Sequence, residues 1–381
     1  MDLTNRKKRE IASPAYDIFD KNNSNRLKGV AIILLLFHHC FLTPDRYEGQ
    51  TLRLFLPESY LNYLADFCKI CVSLFVFISA YGLTKKMMSM KEEDSVSYGK
   101  AVSNLISSRL VKLLGGFILV FLLIDIASIF LSPGRITRIY GTAFPDNAEY
   151  FILDMLGLAD LLGTPSFRGT YWYYGLAIFI VLAVPFLYML LKRLGSTCFM
   201  AVMVLLNFVV TFESRNLWHY FLCIGVGMVC AYNNTITRAV NYRILSSGAG
   251  NKILKFALEA ATLFLLMILR EGPLKGELYP LWDAVIPVVV ILFCCEFLFC
   301  IPVLADILKF LGVYSANIFL VHNFIRVTWF YDFTYSFQYP VLIVLVLLLD
   351  SLAVSIAIEF FKKRIHYDQF LNRIIRRLHR E

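Results

Sequence analysis

The chain has 381 residues, of which 58% are hydrophobic and 17% charged, with 33 Phe and 21 Tyr. Its mean hydropathy of +0.64 excludes a water-soluble globule and indicates a polytopic membrane protein. The net charge of +9 does not mark a nucleic-acid binder, because the positives gather in alternate loops between apolar segments.

In chain order, residues 1–27 are polar and basic (Arg6, Lys7, Lys8, Arg9) and read as a cytoplasmic segment. They lack an apolar core followed by a small-residue cleavage site, so the first span is expected to act as the targeting signal. Apolar runs of bilayer-crossing length then recur at 28–44, 66–84, 109–132, 171–191, 197–212, 216–232, 252–269, 281–300, 308–330 and 339–361. They are too continuously apolar for the alternation of an outer-membrane strand, which predicts an all-α bundle of about ten transmembrane helices over 28–361. Between spans three and four, Tyr150–Leu162 reads as a short helix along the outer face. Residues 362–381 form a basic tail, and from Ile365 onward its pattern predicts an amphipathic helix on the anionic cytoplasmic leaflet.

Lys85, Lys86, Lys91, Lys100, Arg109, Lys112, Lys192, Arg193 and the tail basics fall on one side of this layout. The other side carries scattered positives such as Arg46, Arg168 and Arg215. Both termini are therefore expected in the cytoplasm of a cell-membrane protein.

The first span holds the most informative feature. Lys28 and His39 stand eleven positions apart, about three turns and roughly 16 Å along one helix face, and His38 sits beside His39 on another face. An ionisable group in hydrocarbon is costly, so it reads first as a functional site. His322 lies fourteen residues into the ninth span, roughly 21 Å, at a depth similar to that of His39. Imidazole exchanges protons near neutral pH, as a general base must. Asp66, Asp125, Asp283, Glu296 and Asp350 also lie in or beside spans, where they can join helices. The nine cysteines fall almost wholly within spans and indicate neither a disulfide framework nor a metal centre, although Cys68 and Cys71 form a short Cys-x-x-Cys.

Three ordered segments resemble the integral-membrane acyltransferase family 3, bacterial enzymes that O-acylate surface glycans. The first is Lys28-Gly-Val-Ala-Ile-Ile-Leu-Leu-Leu-Phe-His-His39, a basic residue, ten intervening positions and a histidine. The second is Val72-Ser-Leu-Phe-Val-Phe-Ile-Ser-Ala-Tyr81, and the third is Leu311-Gly-Val-Tyr-Ser-Ala-Asn-Ile-Phe-Leu-Val-His322. Weaker echoes are Arg109 with Lys112, Trp172-Tyr173, and Glu359. Departures from the family pattern are Lys28 for Arg, Ala80 for Gly, Ala316 for Tyr, Lys112 for Arg, and Ala177 where a Glu often stands.

The resemblance implies transfer of an acyl group, acetyl first, from cytoplasmic acyl-CoA to a hydroxyl of a cell-surface or lipid-linked glycan, with no metal expected. It implies His39 as general base and His322 as its partner or as the residue that positions the acceptor. Lys28 and Arg26, with Arg109 and Lys112, would meet the coenzyme phosphates at the cytoplasmic face. Ser79, Tyr81, Ser315, Asn323 and Trp172 are candidates for oxyanion or acceptor contacts. The alternatives from other classes are a glycan-precursor transporter or flippase and a non-catalytic membrane partner on the same fold. Against transport, the sequence holds no inverted repeat and no matched pair of Gly/Pro-broken spans.

Overall fold

The first span begins with a polar turn, and Asp20 caps it by accepting a hydrogen bond from the Asn23 main-chain N–H at 2.8 Å. This helix, α1 (Lys21–Phe41), carries both adjacent histidines in its last turn, and Pro44 then opens a tight 3-10 turn, Pro44–Tyr47. The computed structural model describes residues 17–90, 95–209, 215–272 and 275–380. The basic cluster Arg6–Arg9 and Lys91 lie outside the described residues.

After α2 (Glu58–Phe67), α3 (Ile70–Met88) and the long α4 (Ser95–Leu131) come three short helices, α5 (Arg135–Tyr140), α6 (Asp146–Met155) and α7 (Ala159–Leu162). The single helix expected over Tyr150–Leu162 is divided because Gly157 turns the chain through positive φ, +71°. Next, α8 (Trp172–Val209) covers two predicted spans, interrupted at Gly195, whose φ of 73° is not helical. There follow α9 (Arg215–His219), α10 (Phe221–Tyr232), α11 (Thr235–Asn241), α12 (Gly248–Glu271) and α13 (Lys275–Phe293). The chain closes with α14 (Pro302–Asn323), α15 (Tyr331–Tyr335), α16 (Pro340–Arg364) and α17 (Tyr367–Leu378). The described residues contain no strand.

Six helical stretches are long and apolar enough to cross a membrane: Glu58–Met88, Val96–Leu131, Gly169–Val209, Leu278–Leu298, Pro302–Trp329 and Pro340–Arg364. The count of ten from sequence is approximate. It divides the kinked Gly169–Val209 stretch in two and adds α1, α12 and the short Leu217–Tyr232, none of which is among the six.

The contact that organises the centre is between α1 and α14. A side chain added at Gly29 would strike the main chain of Leu308, and one added at Gly312 would strike the main chain of Asn25. The two helices therefore pass backbone against backbone, as small residues permit in membrane bundles. The crossing holds the far ends of α1 and α14 together as well.

Most acids flagged in the sequence do join helices. Asp283 is fully buried and takes Arg270 Nε at 2.6 Å and His219 Nε2 at 2.8 Å. Asp66 pairs with Lys275, and Glu296 with Lys255 at 2.5 Å. Asp125 differs: both its carboxylate oxygens are buried without a hydrogen-bond partner among the described residues. Asp350 lines an apolar cavity of about 580 Å³ between α4, the end of α14 and α16.

The tail forms the predicted amphipathic helix but does not give its whole apolar side to lipid. Leu371 packs on Gly115 of α4, Ile375 is buried, and the Tyr367 hydroxyl donates to the Gly115 carbonyl at 2.9 Å. Phe370 and Leu378 stay exposed.

Candidate active site

His38 and His39 are one position apart and have different surroundings. His38 Nδ1 lies 2.8 Å from the Ala65 carbonyl, which can only accept, so this histidine donates and braces α1 against α2. His39 instead lines a cavity of about 810 Å³ formed where the ends of α1 and α14 meet the turn before α8. Its ring centroid is 5.0 Å from that of His322, which is wholly buried behind it.

His322 has one ring nitrogen committed. Nδ1 is 2.8 Å from the Phe319 carbonyl and 3.1 Å from that of Ile318, so it carries the proton and Nε2 keeps its lone pair in the neutral ring. His322 Nε2 and His39 Nδ1 are both buried without a hydrogen-bond partner among the described residues.

Beyond His322 the chain widens into a π-helical turn, Phe324–Trp329, an irregularity often found at functional sites. It carries Arg326, which is fully buried. Arg326 donates through Nε and Nη2 to Asn323 Oδ1 at 3.3 and 3.2 Å, and through Nη1 to the Tyr335 hydroxyl at 3.1 Å. That hydroxyl in turn donates to the Cys40 carbonyl at 3.0 Å, tying the arginine to the residue after His39.

A second arginine is placed from outside the bundle. Asp154, fully buried at the end of α6, accepts from the Tyr140 hydroxyl at 2.7 Å, the Ser166 hydroxyl at 2.8 Å and the Phe167 main-chain N–H at 2.5 Å. Phe167 then stacks on Phe324, 5.5 Å between centroids, and Arg168 donates to the Asn323 carbonyl at 2.6 Å. Burial, with the neighbouring Arg135 and Arg326 guanidiniums, lowers Arg168 to about 10, so it stays charged at neutral pH. Arg46, on the turn after α1, is also lowered by burial and by Arg326.

Four of the residues picked out from sequence thus come together: His39, Trp172 and Asn323 line the cavity, and His322 backs it. Ser79, Tyr81 and Ser315 are committed elsewhere. Ser79 donates to the Phe75 carbonyl at 2.8 Å, Ser315 donates to the Gly312 carbonyl at 2.8 Å, and the Tyr81 hydroxyl donates to Asp17. Arg26 and Lys28 stand at the opposite end of α1, Lys28 about 16 Å from His39. There Arg26 donates to Asn23 at 2.8 Å and Lys28 to Asn25 at 3.4 Å. Lys28 is within electrostatic reach of Arg109, while Arg109 and Lys112 are exposed. Cys68 and Cys71 are free and buried, and the described residues contain no metal-ligating group of three His, Cys, Asp or Glu.

The sequence reading did not pick out Arg46, Arg168 and Arg326, which line the same cavity as His39. A signal is present in the sequence: Arg46 and Arg168 are isolated positives in the loops that carry few, and Arg326 follows His322 by one helical turn.

A family model described as an acyltransferase domain matches residues 22–360, nearly the whole chain. The chain belongs to acyltransferase family 3. No curated protein and no solved structure matches it. As a membrane acyltransferase of this family, it carries the cavity, both histidines and all three arginines within the matched region. Acyl transfer needs a base for the attacking group and donors for the charge that develops on the carbonyl oxygen. This acyltransferase has an imidazole at the cavity wall and guanidinium donors beside it.

Proposed function

We propose that this acyltransferase moves an acyl group, acetyl above all, from cytoplasmic acyl-CoA to a hydroxyl of a cell-surface or lipid-linked glycan held in the His39 cavity. The observation that carries this reading is His39 on the cavity wall with His322 5.0 Å behind it. The acceptor hydroxyl gives its proton to His39 as its oxygen bonds to the thioester carbonyl. The tetrahedral intermediate then expels the coenzyme thiolate, which recovers the proton from His39, so the base is regenerated.

His322 is a positioning residue in this scheme. A small rotation of His39 lets its Nδ1–H donate to the free Nε2 of His322, which leaves His39 Nε2 as the lone pair on the cavity side. Asn323 and Trp172 serve the acceptor. Arg26, Lys28, Arg109 and Lys112 hold the donor phosphates at the cytoplasmic end, with both termini on that side of the cell membrane.

The test is transfer of labelled acetyl from acetyl-CoA to glycan in membranes of the producing cell, with purified protein in nanodiscs as the only added enzyme. Label on ester-linked glycan, released by mild base, supports the reading. Wild-type protein that neither transfers label nor releases coenzyme A refutes it.

A further inference from the structure

This protein pairs its buried cations with care. Arg270 meets Asp283 and Glu271, Lys255 meets Glu296 at 2.5 Å, and Lys85 meets Asp17 at 2.8 Å. The three arginines of the His39 cavity depart from that habit, as Arg26, Lys28 and Arg135 also do singly, but of the described residues only these three gather on one cavity wall. Among the described residues, no carboxylate lies within ion-pairing distance of Arg46, Arg168 or Arg326, although Arg326 is fully buried and the other two are half-buried. Arg46 also leaves its Nε buried without a partner. The acids at the rim, Asp45 and Glu48, are exposed to water, and Asp45 offsets part of the Arg46 charge without pairing with it.

Clustered, poorly solvated cations without counter-charges are unfavourable unless something supplies the missing negative charge. Three separate segments bring these guanidiniums to one cavity: the turn after α1, the turn before α8 and the π-helical turn after α14. Trp172 completes the wall with an indole that stacks on Tyr220, centroids 5.9 Å apart. An aromatic face beside fixed cations suits a sugar ring bearing an anionic group.

We infer that the acceptor is an acidic glycan, with a carboxylate or phosphate near the acylated hydroxyl that docks against Arg46, Arg168 and Arg326. This rests on reading the cavity as the acceptor site. The donor phosphates do not explain the cluster, since Arg26, Lys28 and Arg109 form a separate basic group about 16 Å away along α1. One oxyanion does not explain it either, since it needs one or two donors and appears only in passing.

The experiment is equilibrium binding to wild-type protein in nanodiscs by saturation-transfer NMR, with two probe pairs that differ in charge: methyl glucuronide against methyl glucoside, and glycerol 3-phosphate against glycerol. At least one anionic probe should bind about tenfold or more tightly than its neutral counterpart, and the preference should shrink as salt is raised. The winning pair tells carboxylate from phosphate. Arg46→Gln and Arg168→Gln should each reduce the preference, and Arg168→Lys should keep part of it; Arg326 is left in place because it also braces Tyr335. Equal binding within both pairs, or a preference unchanged in the Arg46→Gln/Arg168→Gln double variant, overturns the inference. Anion preference without acyl-CoA turnover would uphold this site and reject the proposed reaction, while turnover without anion preference would do the reverse.

Discussion

His39 and His322 stand at the same height in the bundle because each lies ten residues beyond a glycine, Gly29 or Gly312, at which α1 and α14 touch main chain to main chain. Ten residues of helix rise about 15 Å, so one crossing sets the level of both rings. The register of the helices is thereby the register of the site.

That relationship predicts the effect of filling the crossing. Gly29→Val or Gly312→Val places methyl groups against backbone that cannot rotate away. Each should cost about 1–3 kcal/mol in stability, as overpacking does, and lower acyl transfer at least tenfold in the protein that remains folded. Gly82→Ala, where an added methyl meets nothing within 4 Å, should be neutral. Thermal unfolding in detergent and coenzyme A release, measured on matched amounts, check both statements.

The histidines should separate by function. His38→Ala removes the bond to Ala65, so it should cost about 1 kcal/mol in stability and leave turnover per folded molecule close to wild type. His322→Ala should lower kcat by about ten- to a hundredfold, leave KM for acyl-CoA nearly unchanged and displace the pH profile, because the cavity-side base loses its orienting partner. A His322→Ala enzyme with wild-type kcat and pH profile would reduce His322 to packing.

At the other end of α1, Lys28→Arg should retain activity. Lys28→Glu reverses the charge within reach of Arg109 and should strongly weaken the apparent affinity for acyl-CoA. Unchanged affinity would make Lys28 a topological anchor and leave the phosphates to Arg109 and Lys112.

At the end of the bundle opposite His39, Asp17 accepts from Lys85 at 2.8 Å, Thr237 at 2.9 Å and Tyr81 at 2.9 Å. Burial pushes its carboxyl up, but Lys85, Thr237 and Tyr81 outweigh that and hold it below the ordinary carboxylate range. A carboxyl depressed in the folded state stabilises above its unfolded pKa, about 3.9, and loses that contribution as the pH falls through the folded value. Asp17→Asn should therefore be less stable than wild type at pH 7, with the gap narrowing below about pH 4. A gap that widens on acidification would contradict the contact.

The bundle, the tail helix and the level of the two histidines were legible because each follows from a period or a count along one helix. Span length located α14, and counting from its start put His322 near the depth of His39. Contacts between distant segments were not legible. Arg168 reaches Asn323 only because Asp154 folds the segment between α6 and α8 under Phe167, and nothing in the local pattern around residue 168 reports that. Tyr81 and Ser79 sit in a motif yet bond to Asp17 and the Phe75 carbonyl, which sequence spacing cannot distinguish from lining a cavity.

The central claim is that His39 is the base for acyl transfer. Its most direct test is steady-state coenzyme A release by His39→Ala in nanodiscs, with acetyl-CoA and acceptor saturating and with topology and thermal stability matched to wild type. Loss of a positioned base lowers kcat on the order of 10²–10⁴-fold, with acyl-CoA still bound at wild-type affinity. A stable His39→Ala protein that transfers within a few-fold of the wild-type rate would contradict the account.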